Sequence, residues 1–100
     1  MGFTSKLNPL QAERKIQYIL ETGAVILTKH CRIESMPERR VDMNDVRYVL
    51  KHGQIIREPE WDESNDNWKY RVEGTDIEGD ELTAIVVIES DLMLIIVTVF

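Results

Sequence analysis

The chain has little of what most enzyme sites are built from: one cysteine, two histidines, five glycines and three prolines in 100 residues. A single cysteine, Cys31, excludes an intramolecular disulfide framework and a cysteine-based zinc knuckle. His30 and His52 stand in no His-x-x-x-His or Cys/His spacing, so no metal site is expected. No glycine-rich phosphate loop and no Gly-x-Ser-x-Gly elbow occurs, which removes nucleotide-binding and serine-hydrolase readings and leaves no cofactor to expect. The carboxylates between Glu58 and Asp66 lack the Asp-x-Asp-x-Asp-Gly order of a calcium loop and read as a solvated turn. No apolar run approaches the roughly 20 residues of a membrane helix, and the opening MGFTSKLNPL lacks the basic-then-apolar pattern of a signal peptide. A cytoplasmic protein without a membrane partner is the simplest expectation.

What is present is unevenly charged. Residues 1–53 carry nine Lys/Arg against six Asp/Glu, residues 54–100 three against twelve, and the net charge is −6. A basic first half and an acidic second half give either a dipolar surface that steers a charged partner or a soluble surface divided by chance. A chain of 100 residues makes one domain with one modest core, and Met1 to Leu7 reads as a loose arm ahead of it.

The stretch from Leu82 to Phe100 holds two runs of β-branched and aliphatic residues interrupted once, by Glu89, Ser90 and Asp91. Neither run alternates, so both should be strands apolar on each face, covered on each face, and central in the sheet. Asn8, Pro9 and Gln11 form a helix start, with Ala12, Ile16, Ile19 and Leu20 inward and Gly23 as a left-handed stop. Ala24 to Leu27 is a short strand or a packed connector. A short helix with Ile33 and Met36 inward, broken at Pro37, fits the polar stretch Lys29 to Arg40. Asp42 and Asp45 open a further helix that buries Met43, Val46, Val49 and Leu50 and stops at Gly53. The two helix ends, Tyr18 to Ile26 and Tyr48 to Ile56, are near copies. Gln54 to Glu58 reads as a strand, Glu60 to Asn67 as an acidic turn, Trp68 to Glu73 as a half-buried strand and Gly74 to Asp80 as a hairpin connection. The expected fold is α+β: two or three helices packed on one face of a four-stranded antiparallel sheet.

His30 is the first candidate for chemistry. Imidazole as a side-chain type moves protons near neutrality, and Lys29, Arg32, Arg39 and Arg40 around it could hold a phosphate. The alternative is a histidine at the edge of an apolar segment, hydrogen-bonded to backbone. His52, in a last helical turn, is explained by the helix dipole. Lys69, Tyr70 and Arg71 interleave cations with an aromatic as sheet-based RNA readers do, or else place Tyr70 in the core and the cations on a wet face.

One resemblance adds to this. Val25-Ile26-Leu27-Thr28-Lys29-His30 after Gly23, then Met36-x-x-Arg39, Val41, Asp42 and Asp45-Val46, then Leu50-x-x-Gly53-x-Ile55-Ile56, closing on Leu94 to Phe100, resembles a family of small bacterial proteins. That family carries the designation domain of unknown function, number four-two-five-eight. It is thought similar in fold to the RelE, barnase and colicin ribonuclease group, mostly metal-independent RNases, many paired with antitoxins. The resemblance implies His30 as general acid or base and Arg39 as a phosphate-binding group, with Lys69 or Arg71 supplying further charge. RNA and a cognate antitoxin are the partners it implies. The alternatives are a non-catalytic interaction domain binding a protein through the edge strand Gln54 to Glu58 or the basic face, or a protein that dimerises through its sheet.

Overall fold

A computed structural model describes residues 5–100. Helix α1 spans Pro9–Thr22 and α3 spans Met43–His52, and each opens with a reciprocal capping box. Asn8 Oδ1 accepts the Gln11 N–H at 2.8 Å while Gln11 Oε1 accepts the Asn8 N–H at 3.0 Å; Asp42 and Asp45 repeat the exchange at 3.1 and 3.2 Å. Four backbone donors that helix geometry leaves open are thereby satisfied. The inward faces are Ala12, Ile16 and Ile19 in α1 and Val46, Val49 and Leu50 in α3, all in one core.

Both helices stop at glycine, but neither glycine is left-handed. Gly23 has φ −116° and Gly53 φ −75°, extended values open to any residue, and each donates its N–H at 2.7 Å to the carbonyl four residues back. Space decides the residue type instead. A Cβ on Gly23 would lie 2.3 Å from the Leu92 carbonyl oxygen, and one on Gly53 would lie 2.5 Å from that of Val49 and 2.8 Å from that of Glu73. The chain leaves each helix by running directly against a strand.

The sheet has five strands in the order β1-β5-β4-β3-β2, with β1 (Ala24–Leu27), β2 (Glu60–Asp62), β3 (Asn67–Thr75), β4 (Glu81–Ser90) and β5 (Met93–Val99). It is mixed rather than four-stranded antiparallel, because Ala24–Leu27 lies parallel to β5. The Gln54–Glu58 segment is not a strand. Only Gln54 bridges Glu73, and the next donor, the Ile55 N–H, goes to the Glu13 carboxylate at 3.0 Å. The acidic turn instead contains β2, whose Trp61 sits opposite Trp68 with the rings edge-on at 5.1 Å.

The β4–β5 hairpin is central, as its composition predicts, but the core cluster lies on one of its faces, and on the other Val87 is buried while its neighbours are half-buried. Leu82, Ala84, Val86 and Ile88 of β4 join Leu94, Ile96 and Val99 of β5, with Tyr70 and Val72 of β3, against all three helices. Thr83, Ile85, Ile95 and Thr98 face away and stay partly exposed, and the helical stretch meets them where His30 reaches Thr98. The missing alternation has a local cause. The register steps from Val86↔Ile96 to Ile85↔Thr98, leaving Val97 unpaired, a bulge that resets which residues point inward.

Residues 29–39 are helical but not as expected. A π-turn over Cys31–Ser35 runs into α2 (Met36–Arg39), with the Met36 N–H on the Cys31 carbonyl. That wider turn directs Cys31, Ser35 and Met36 inward and leaves Ile33 50% exposed. It also accommodates Pro37, which lacks an N–H and would crowd the carbonyl four residues earlier in a regular helix; Pro37 sits in the first turn of α2 without breaking it. Of the expected loose arm, Met1–Thr4 lie outside the described residues, and Leu7 donates its N–H to the Tyr70 hydroxyl at 2.9 Å. Among the described residues no helix is long and apolar enough to cross a membrane.

Gly23→Ala and Gly53→Ala should each lower the unfolding free energy by about 1–3 kcal/mol, the usual cost of overpacking. Urea denaturation reads this directly, and unchanged midpoints would mean that neither backbone contact is tight.

Candidate functional site

Thr28 begins the site. Its hydroxyl accepts the Cys31 N–H at 3.1 Å and donates to the Val97 carbonyl at 2.8 Å, while its own N–H reaches the Ile96 carbonyl at 3.0 Å. One threonine thus caps the helical stretch and fastens it to the bulge in β5. A second fastening is Ser35, buried, whose hydroxyl donates to the Cys31 carbonyl at 3.3 Å and accepts the Val99 N–H at 3.2 Å. Burial pushes the Cys31 thiol pKa up, so this cysteine behaves as a small core residue.

Held this way, His30 leans over the end of β5. Its Nδ1 lies 3.1 Å from Glu34 Oε2 and its Nε2 lies 3.3 Å from Thr98 Oγ1. A carboxylate only accepts, so Nδ1 carries the proton in the neutral ring and Nε2 keeps its lone pair toward the Thr98 hydroxyl. The His30 side chain is 56% exposed. Thr98 pairs with Ile85, and Ile85 with Arg71, one row across three strands on the face away from the helices. Two strand spacings separate Thr98 and Arg71, about 10 Å at the backbone.

Arg71 and Arg39 share a depression lined by Glu73, Gly74, Glu81, Thr83 and Phe100. The Arg71 guanidinium lies 5.0 Å from the Phe100 ring centroid. Its Nε is 3.6 Å from Glu73 Oε2, and Arg57 Nε approaches the same oxygen at 3.4 Å. Arg39 Nη2 donates to the Glu81 carbonyl. His30 does not enter this depression: nine residues of helix separate it from Arg39, roughly 13 Å along the axis. The arrangement is therefore a histidine at one end of the β5 terminus and two arginines beyond it, with Thr98 and Phe100 between.

Of the remaining candidates, Lys69 shares a depression with Arg71 and Arg40 shares one with Arg39, while Lys29 and Arg32 line neither. Lys29 and Arg32 are exposed and, among the described residues, have no ion-pair partner. Arg40 is left-handed, φ 58°, and faces Asp45, Asp76, Glu78 and Asp80. Lys69 is held by Asp62 at 2.8 Å and Asn67 at 2.6 Å, and Tyr70 is buried in the core, its pKa raised by that burial. Lys69, Tyr70 and Arg71 thus form no stacking platform. His52 packs its ring on Tyr48 at 4.5 Å. Glu34, Thr98 and Phe100 escaped the sequence reading. Only Glu34 had a signal there, the four-residue helical spacing to His30; Thr98 is 68 residues away from it.

A family model described as "Domain of unknown function (DUF4258)" matches residues 27–100. Comparison with curated proteins and with solved structures gives no match.

Hydrogen bonds from Lys69 and then Asn65 hold the Asp62 carboxyl down at about 2. A depressed carboxyl stabilises the fold above its unfolded value, near 3.9, and loses that contribution as pH falls toward 2. Between pH 4 and 2 the wild-type melting temperature should therefore fall more steeply than that of Asp62→Asn; parallel profiles would show that the Lys69 pair has no such linkage.

Proposed function

The chain belongs to the DUF4258 family, and since that description carries no activity we propose, from the site itself, that the protein is an RNase that cleaves RNA by attack of a ribose 2′-hydroxyl on the adjacent phosphate. The observation that carries this reading is the engagement of both nitrogens of His30, Nδ1 on Glu34 and Nε2 on a hydroxyl. A ribose 2′-hydroxyl taking the place of Thr98 Oγ1 would give its proton to Nε2, and the Glu34 carboxylate would stabilise the imidazolium that forms. The 2′-oxygen then attacks phosphorus as the P–O5′ bond breaks, and the leaving 5′-oxygen takes a proton from water. One product ends in a 2′,3′-cyclic phosphate and the other begins with a 5′-hydroxyl. Arg71, in the cross-strand row of Thr98, is the group on this face that could reach the non-bridging oxygens, and Arg39, farther from His30, would meet a neighbouring phosphate. Lys29 and Arg32 would meet the flanking backbone phosphates as exposed cations. A fold like that of the RelE, barnase and colicin ribonucleases, which the sequence resemblance implies, would agree with this chemistry, and an antitoxin is the protein partner it suggests.

A second reading is favoured by the groups that hold the arginines. Arg71 lies against Glu73 and Arg39 against the Glu81 carbonyl, and the net charge is −6. A domain that binds a protein partner on the same face, without catalysis, would keep both guanidiniums in these contacts.

RNA incubated with the purified protein in excess chelator separates the two. Cleavage with 2′,3′-cyclic phosphate ends is expected, reduced about 10²–10⁴-fold by His30→Ala and lowered also by Arg71→Ala and Arg39→Ala, with circular dichroism unchanged. A folded wild type that cuts neither free RNA nor RNA on translating ribosomes moves the reading to the binding domain.

A further inference from the structure

Phe100 follows β5 and stays in register with β4. Its N–H and C=O exchange hydrogen bonds with Thr83 at 2.9 and 2.8 Å, and residues paired this way point to the same face. Thr83 points away from the helices, so Phe100 does too, about 7 Å along the strand from Thr98. It takes no part in the core cluster and is 51% exposed. A lone exposed phenylalanine needs no explanation, but this one has unlike surroundings on its two sides. Toward β4 it shares a depression with Arg71 and Arg39, and the Arg71 guanidinium lies 5.0 Å from its ring centroid. That contact brings the Arg71 cation from β3 across β4 to the end of β5. Toward the helical stretch Phe100 shares a second depression with Ser35, Glu38, Arg39 and Val99.

We infer that Phe100 is the stacking surface for the base of the nucleotide that is cut, on the ring face turned from Arg71, so that the substrate is an unpaired nucleotide of single-stranded RNA. The inference rests on the RNase reading above, which sets a ribose 2′-hydroxyl at Thr98 and the adjacent phosphate at Arg71. A base hangs from the ribose carbon next to the one that bears the 2′-hydroxyl. A ribose at Thr98 therefore brings its base to a neighbouring side chain of this face. Of those neighbours, Ile85 across the ladder and Phe100 along the strand, Phe100 has the ring. The two sides of that ring then divide the nucleotide by charge. On one side the Arg71 cation faces the anionic phosphate. On the other the Glu38 carboxylate stands with Arg39, where a second phosphate gains little and an uncharged base loses nothing. Every base has a π-face, and stacking on an aromatic side chain is how proteins commonly hold unpaired nucleotides. A base lying on Phe100 has left its complement, so a duplex offers it only after unpairing.

The nucleoside 3′-monophosphates of adenine, cytosine, guanine and uracil carry base, ribose and phosphate of the cut nucleotide in one molecule; inorganic phosphate carries the last alone. Titrating each into the isotope-labelled chain, followed by NMR, gives affinities without any cleavage. At least one nucleotide should bind about tenfold tighter than phosphate, with the Phe100 ring resonances shifted by the nucleotide and not by phosphate. Phe100→Ala should lower the ratio of nucleotide to phosphate affinity about fivefold or more. Taking the ratio removes any change at Arg71 that follows from the lost ring contact. Should that variant misfold, Phe100→Leu, apolar but without a ring to stack on, carries the same comparison. Nucleotides that bind no tighter than phosphate overturn the inference; so does a ratio that a folded variant leaves unchanged. Cleavage separates this result from the RNase reading. A chain that cuts RNA but shows an unchanged ratio keeps that reading and loses the stacking surface. One that cuts no RNA yet binds nucleotides through Phe100 keeps the stacking surface and loses the RNase.

Discussion

The unpaired residue in β5 is the constraint on which the rest depends. Because Val97 has no partner, the strand delivers Leu94 and Ile96 to the core, then skips a step and delivers Val99, leaving Thr98 outward. The displaced Val97 carbonyl turns to the Thr28 hydroxyl, and that hydroxyl caps the helical stretch carrying His30. Thr98, set outward by the same skip, meets the His30 ring. A regular strand would have pointed Thr98 into the core and Val99 into water. The bulge therefore places a histidine over a hydroxyl on the open face, and it does so using residues that pack the core.

The charge balance near the arginines is less unfavourable to an anion than the total suggests. Glu73 is shared by Arg57 and Arg71 through one oxygen, so a single carboxylate faces two guanidiniums and leaves a positive remainder. Arg39 donates its hydrogen bond to a backbone carbonyl, not to a carboxylate, and keeps its full charge. The acidic loop at Asp76 to Asp80, with Asp45, lines a depression that Arg39 shares with Arg40, and salt screens such charges over about 8–10 Å. Around Phe100, then, Arg39, Arg57 and Arg71 stand beside Glu38, Glu73 and Glu81, close to balance although the chain as a whole is acidic. A phosphodiester would replace Glu73 as the partner of Arg71 or add to it.

How far the fold is legible in the residues depends on whether the deciding contact is local. Asn8 with Gln11 and Asp42 with Asp45 act over three residues, and both capping boxes form where the sequence implies them. The central hairpin is legible from its composition. Its bulge is not, because two apolar runs without alternation fit several registers, and the choice falls to Thr28 and Ser35 from a distant part of the chain. Ile33 turns outward because Pro37 favours a wider turn than the regular helix that its spacing from Met36 implies. At the site, His30 and Glu34 share a helix and can be paired by spacing. Arg71 and Phe100 meet only through β-pairing, which no spacing in the chain encodes.

The near-copied helix ends give the sharpest case. Tyr18 to Ile26 and Tyr48 to Ile56 read alike, and both run from a helix through a glycine pressed against backbone, the Leu92 carbonyl in the turn before β5 for Gly23 and the Glu73 carbonyl of β3 for Gly53. Their next residues nevertheless diverge. After Gly23, β5 has an open edge, and Ala24 to Leu27 fill it as a parallel strand. After Gly53, Gln54 makes one bridge to β3, then the Glu13 carboxylate of α1 captures the Ile55 N–H and draws the chain off the ladder. Farther along β3, the edge positions at Asn67 to Lys69 are taken by β2. Similar local sequence thus yields a strand where a ladder is vacant and a loop where a side chain from another helix competes for the first donor. The glycine fixes where each helix must stop; the strand or side chain it stops against decides the conformation of the next residues.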